Sequence, residues 1–249
     1  MKKTVMSFAT VIAAATVAVC SPVRSNLGGE ATTENIELPT YTAADYIQDG
    51  LIAIWDGIEN SDWGVHDPDA KVWRNLVKGD AFPIKAANYF EPDGLVTVEQ
   101  TAWNSVPMYD LHDYDEYTIE VCGASLEKGT SLVSLPYADP GVRFMPYAVW
   151  DSSNNSYIKA CGNILFLHNT GPVGTPKCFG VSVSGNFFEI YSVQFGASKT
   201  GTWTKATNRY NGYIPKGVKD CCIRYYNRAL STEEVAHNYL IDCFRFNLP

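Results

Sequence analysis

From Tyr41 onward the chain is a succession of short apolar runs, each closed by turn-forming residues. "LIAIW" (Leu51–Trp55) runs into Asp-Gly, and "GLVTVEQ" opens at Gly94. "YTIEVC" (Tyr117–Cys122), "TSLVSL" (Thr130–Leu135), "VRFMPYAVW" (Val142–Trp150) and "NILFLH" (Asn163–His168) follow. Runs of this length, rich in β-branched and aromatic residues, read as strands. The clearest hairpin lies in "CFGVSVSGNFFEIYSVQF", where Val181 and Val183 alternate with Ser182 and Ser184. Ser184-Gly185-Asn186 tolerates the positive φ of a tight turn, and Phe188, Ile190 and Val193 continue on the return strand. Helical periodicity is almost absent before the C-terminus. The pattern predicts an all-β fold, a two-sheet antiparallel jelly-roll sandwich.

One helix is signalled, near the C-terminal end. Ser231 precedes "TEEVAHNYLIDCF", and Glu234 three residues later completes a capping box. Val235, Tyr239, Leu240 and Cys243 recur at helical spacing and predict an apolar stripe packed on the sandwich. In the preceding "DCCIRYYNRAL", strand alternation puts Ile223 and Tyr225 on one face and Cys222, Arg224 and Tyr226 on the other. A buried Arg224 or Arg228 would require carboxylate or backbone partners.

The start of the chain has a different character. Residues 1–25 carry two lysines, an apolar stretch from Val5 to Cys20, and then small and polar residues. That is the order of a secretory signal; a lipid-attachment cysteine at Cys20 and a retained hydrophobic tail are the alternatives. Residues 26–40, rich in Gly, Thr, Glu and Asn, read as a linker, and 41–249 as the folded domain. These features predict a secreted or cell-surface protein, with membrane contact only through the N-terminal segment. A retained tail would instead suit a larger assembly such as a phage virion, or a homo-oligomer. With 46% hydrophobic residues the 249-residue chain can bury a sizeable core. A net charge of −8 and no Lys/Arg-rich run argue against a nucleic-acid partner.

Two segments carry a family resemblance. "YIQDGLIAIWDGIEN" with "GVHDPDAKVWRNL", and far downstream "GVKDCCIRYYNRALSTEEVAHNYLIDCFRF", resemble the opening and closing motifs of laminin-G-like, concanavalin A-type jelly-roll domains of bacterial and phage surface proteins. Together they bracket the chain from about Asp49 to Phe246. The resemblance implies a two-sheet sandwich that binds carbohydrate or another surface ligand and is not itself an enzyme. The paired cysteines depart from the family pattern.

Several candidate chemistries follow. Six cysteines beyond Cys20 permit three disulfides, but most sit inside apolar runs, which favours buried free thiols. Strand alternation would point Cys221 and Cys222 to opposite faces, so a zinc site with Cys243 and His237 is not expected, nor is a cysteine nucleophile paired with His237 or His168. Glycoside hydrolases share this kind of sandwich and need paired carboxylates. Glu189 stands alone in "FFEIYSV", while Asp113, Asp115, Glu116 and Glu120 do not match a one-strand acid–nucleophile spacing. No cofactor is required. Calcium is the one ion for which loops offer ligands: Asp67 and Asp69 in "HDPDA" and Asp139 in "YADPG", although Asp-Pro also forms ordinary turns. A glycan or surface-protein ligand would meet exposed aromatic rings rimmed by polar groups. Trp203, with Asn208, Tyr210 and Tyr213, is the first candidate and Trp63 the second, whereas Trp55, Trp73 and Trp150 read as core.

Overall fold

A computed structural model describes residues 39–102, 114–135, 142–145, 155–160, 163–168, 170–202 and 213–248. The strands in chain order are β1 (Leu51–Asp56), β2 (Val72–Arg74), β3 (Ala81–Pro83), β4 (Tyr89–Glu91), β5 (Gly94–Thr97) and β6 (Thr101–Ala102). Next come β7 (Glu116–Ser125), β8 (Val133–Leu135), β9 (Val142–Met145), β10 (Ser156–Ala160) and β11 (Asn163–Leu167). The last are β12 (Lys177–Ser184), β13 (Phe187–Ser192), β14 (Ala197–Thr202), β15 (Tyr213–Ile214) and β16 (Val218–Tyr226), followed by helix α1 (Thr232–Arg245). Among the described residues every strand pairing is antiparallel. One sheet runs β14-β13-β12-β7-β16-β5-β4, with β1 also paired to β16; the second runs β11-β10-β9-β8-β15-β6.

Period-two alternation divides the large sheet between two cores. Ile119, Val121, Phe179, Val181, Val183, Phe188, Ile190, Ile223 and Tyr225 face the second sheet and meet Ile158, Leu167 and Ile214 from it. The other face, with Cys122, Cys178, Tyr191, Cys222 and Tyr226, is covered by Val235, Ile241 and Cys243 of α1 and by Ala43 and Tyr46. Trp55 and Trp73 are buried in the core, as expected; Trp150 lies outside the described residues. In the β12–β13 hairpin, Ser184 pairs with Phe187 across Gly185-Asn186, and Gly185 takes φ +58°. A glycine at the first turn position with positive φ matches the twist of the flanking strands.

The capping box forms as the sequence predicts: Ser231 accepts from the Glu234 amide, and Glu234 accepts from the Ser231 amide. The buried face of α1 differs from the expected stripe. It consists of Val235, Asn238, Ile241, Asp242 and Cys243, while Tyr239 and Leu240 are only partly buried. The reason is electrostatic. Arg224 on β16 projects under the helix, 2% exposed, and its guanidinium grips Asp242 through two bonds of 2.6 and 2.7 Å. Its Nε donates to Glu120 at 3.1 Å, and the Tyr46 ring stacks beneath it at 4.1 Å. Asn238 donates to Glu120 and Tyr226, and Tyr46 donates to Asp242. At the far end of the helix Arg245 makes two bonds to Asp56 and one to Glu59. Burial pushes the Glu120 carboxyl up, against the pull of Arg224.

Removing the central cation would leave two buried carboxyl groups without it. Arg224→Met should therefore destabilise the fold by about 3–5 kcal/mol in urea unfolding. A loss below about 1 kcal/mol would show that the network does not hold the helix. Asp220 makes the opposite case. It is 0% exposed, opposite Leu95 and Gly123, and neither carboxylate oxygen has a hydrogen-bond partner. Burial raises its pKa well above the usual carboxylate range. The native state favours the protonated form, so stability contributed at low pH is lost as pH rises above the unfolded-state pKa. Asp220→Val should be more stable than the parent at pH 7 by about 1–3 kcal/mol, with the gap closing toward pH 3; a gap independent of pH refutes this account.

Candidate functional site

Away from the helix, the same outward face of the large sheet is open at its β12–β14 edge. Alternation sets Ser182 and Ser184 of β12 opposite the core-facing Val181 and Val183. Strand register then aligns Glu116, Ser184, Phe187 and Thr202 in one row, and Thr118, Ser182, Glu189 and Thr200 in the next. From these rows Ser182, Ser184, Phe187, Glu189, Thr200 and Thr202, together with Ala229 and Leu230, which lead into α1, line a groove of about 490 Å³. Phe187 at its rim is 66% exposed. In the following row Gly180 lies under the Tyr191 ring, where an added Cβ would overlap it. That close approach lets the Tyr191 hydroxyl donate to Glu120, and it joins the groove wall to the network under the helix.

Glu189 is the one ionisable side chain lining the groove among the described residues. It is half-buried; Ser198 hydrogen-bonds to its carboxylate, while Oε1 finds no protein partner. Burial outweighs the Ser198 bond and pushes the carboxyl up to about 7. A group with this pKa is part acid and part base at neutral pH. Glu116 stands at the rim and accepts a 2.7 Å bond from Ser184. The chemistry on offer is one poised carboxyl, four Ser/Thr hydroxyls and an exposed aromatic ring.

Among the described residues, none of the ligand-contact residues expected from sequence lines the groove. Trp203, Asn208, Tyr210 and Asp139 lie outside the described residues; Thr202, at the end of β14, immediately precedes Trp203 in the chain. Tyr213 sits in β15 of the second sheet, in register with Ser134 and Ala102. Trp63 is 37% exposed on the β1–β2 loop. That loop is tied through Gly64 and Glu59 to Arg245, at the end of α1 opposite to the groove. A 14-residue helix is about 20 Å long, so Trp63 and the groove are separate surfaces. Asp67 accepts from the Asp69 amide and its backbone is clamped by Asn60, which is turn geometry. Sequence reasoning singled out Glu189 but missed the groove around it. The Val/Ser alternation of β12 was the available signal, and the hydroxyls of β14 complete the pocket only through strand pairing.

The cysteines also differ from expectation. Cys221 and Cys222 do not face opposite ways: a β-bulge between Asp220 and Cys222 turns both into the layer beneath the helix. Cys122, Cys178 and Cys243 join them there, and all five described cysteines are buried. Burial pushes the Cys122, Cys178 and Cys222 thiols up, and a hydrogen bond to Cys122 does so for Cys221. Ligand atoms of Cys122, Cys178 and Asp242 lie within 4.8 Å of one another. The Asp242 carboxylate, however, is taken by Arg224 and Tyr46. Protonated thiols beside an occupied carboxylate form a packing layer. His237 is committed as well, to the backbone carbonyl of Asp45.

No protein-family model matches the sequence, and no curated protein matches it. Solved structures do. Trypanosoma rangeli sialidase in complex with sialic acid superimposes with a TM-score of 0.55 at 13% identity, over 78% of this chain and 33% of the sialidase chain. The same sialidase with 2,3-difluorosialic acid, as a covalent intermediate, gives a TM-score of 0.55 with 13% identity and the same 78% and 33% coverage. The CBM40 of Ruminococcus gnavus IT-sialidase bound to α2,3-sialyllactose matches at a TM-score of 0.42 and 10% identity, over 58% of this chain and 95% of that one. The chain thus spans about a third of the sialidases' length. Likeness at such identity shows the fold, an antiparallel β-sandwich with one C-terminal helix. It also overturns the expectation that the chain is not an enzyme. Sialidases are glycoside hydrolases, and a sandwich found within them gives no ground for excluding catalysis.

Proposed function

We propose that the chain is a carbohydrate-recognising β-sandwich of the laminin-G-like, concanavalin A-type kind, acting outside the cell or at its surface, and that it holds saccharide in the Glu189 groove. The observation that carries this reading is a groove that sets one half-buried carboxyl, Glu189, among hydroxyls and an exposed phenyl ring. Sugars present hydroxyl edges to polar groups and C–H faces to aromatic rings, and this groove offers both. The signal-like residues 1–25 support the extracellular setting, and the sialic acid bound by the sialidase neighbour supports a sugar ligand for this fold.

A second reading, glycoside hydrolysis, is favoured by the same carboxyl. With its pKa raised to about 7, Glu189 retains a proton to donate at neutral pH, as a general acid must. Glu116, two strands away on the same face, is the other carboxylate within the groove's two rows.

A glycan array probed with the full chain, followed by calorimetry on the hits, tests both readings. Phe187→Ala is expected to weaken saccharide binding about tenfold without loss of fold, in line with the worth of one aromatic–sugar contact. Absence of binding to any saccharide eliminates the recognition reading. Reducing-sugar release from bound glycans that disappears in Glu189→Gln would establish hydrolysis; release unaffected by that change would remove Glu189 as its acid.

A further inference from the structure

Resting on the saccharide reading of the groove, we propose that it accepts neutral sugars and rejects acidic ones. Charge carries the argument. The groove lining holds a single ionisable side chain, and it is an acid. A second acid, Glu116, stands at the rim beside Ser184. The described cations nearest in sequence to the lining are committed elsewhere. Arg228, next to Ala229, makes two bonds to Glu234 and an ion pair with Asp49. Lys199, next to Thr200, donates to the Ile164 carbonyl of the second sheet. Arg224 is buried under α1 between Asp242 and Glu120. The chain as a whole carries −8. A sugar carboxylate or sulfate in this groove would sit beside Glu189 with no described cation to offset it, and like charges brought together in a partly desolvated site cost affinity.

Neutral sugars meet complementary chemistry. A sugar hydroxyl can donate to the Glu189 carboxylate, which lines the groove. Ser182, Thr200 and Ser184 offer reversible donor–acceptor partners for the neighbouring ring positions. Phe187 supplies an apolar face for the ring's C–H side. This specificity is opposite in charge to the sialic acid that the structurally similar sialidase carries.

The test is calorimetry on the full chain at pH 8, where Glu189, titrating at about 7, is mainly ionised. The neutral probes are lactose, cellotetraose, mannotetraose and xylotetraose; the acidic probes are 3′-sialyllactose and tetragalacturonate. At least one neutral probe should bind, at least tenfold tighter than either acidic one. Glu189→Gln should weaken the neutral probe and narrow the neutral-to-acidic ratio severalfold, a change that a merely structural role would not produce; circular dichroism confirms that the variant is folded. Equal or tighter binding of an acidic probe overturns the inference and leaves saccharide recognition standing. Neutral binding indifferent to both Glu189→Gln and Phe187→Ala overturns it by placing the ligand elsewhere. Failure of all six probes counts against this inference, whereas the wider array decides the recognition reading separately.

Discussion

The two-bond grip of Arg224 on Asp242 sets the relation between the sheet and everything stacked on its outer face. A guanidinium on β16 pointing away from the sandwich core could not remain dry unless a carboxylate came down onto it, and α1 delivers one. Around that pair, Glu120 on β7, Asn238 on α1 and Tyr46 from the segment before β1 each satisfy a donor or acceptor that would otherwise be stranded. Such a network adds little net stability over an apolar layer of equal shape. It adds register: the helix seats where Arg224, Glu120 and Asp242 coincide. The same chain of contacts extends through Tyr191, over the bare backbone of Gly180, to the row beside Glu189. Helix docking and the shape of the groove are consequently joined.

Much of the fold was legible in the sequence because it depends on local signals. The strands with clear alternation, the β12–β13 hairpin and the capping box at Ser231 appear where they were expected. Strands of two or three residues such as β2, β3, β4, β6 and β15 did not, since so few residues carry no measurable period. The helix face was misread for an instructive reason. The expected apolar stripe left out Asn238 and Asp242, whose partners lie off the helix; Asn238 reaches Glu120 across 118 residues. Buried polar pairing is non-local and leaves no periodic trace. The cysteine pair was misread because a single inserted residue, the bulge before Cys222, cancels alternation over one step.

The site shows the same division. Glu189 was visible as an isolated acid in an otherwise β-forming run, but its setting was not. Thr200 and Thr202 become groove walls only because β14 pairs with β13, and Leu230 because the strand-to-helix corner folds back toward β12. The described groove is built on strands. A site on paired strands is held more firmly than one on a loop, and its specificity resides in spacing fixed by backbone hydrogen bonds.

The thiol layer beneath α1 has a further consequence. Five cysteines from three strands and the helix share one dry compartment and are kept as unreactive thiols by burial. Their silence lasts only as long as the helix stays seated. Any excursion that lifts α1 while the sheet persists would uncover all five together and let them ionise toward ordinary thiol behaviour. The protein thus carries an internal gauge of its own partial opening: the rate at which these five cysteines alkylate measures how often the helix leaves the sheet.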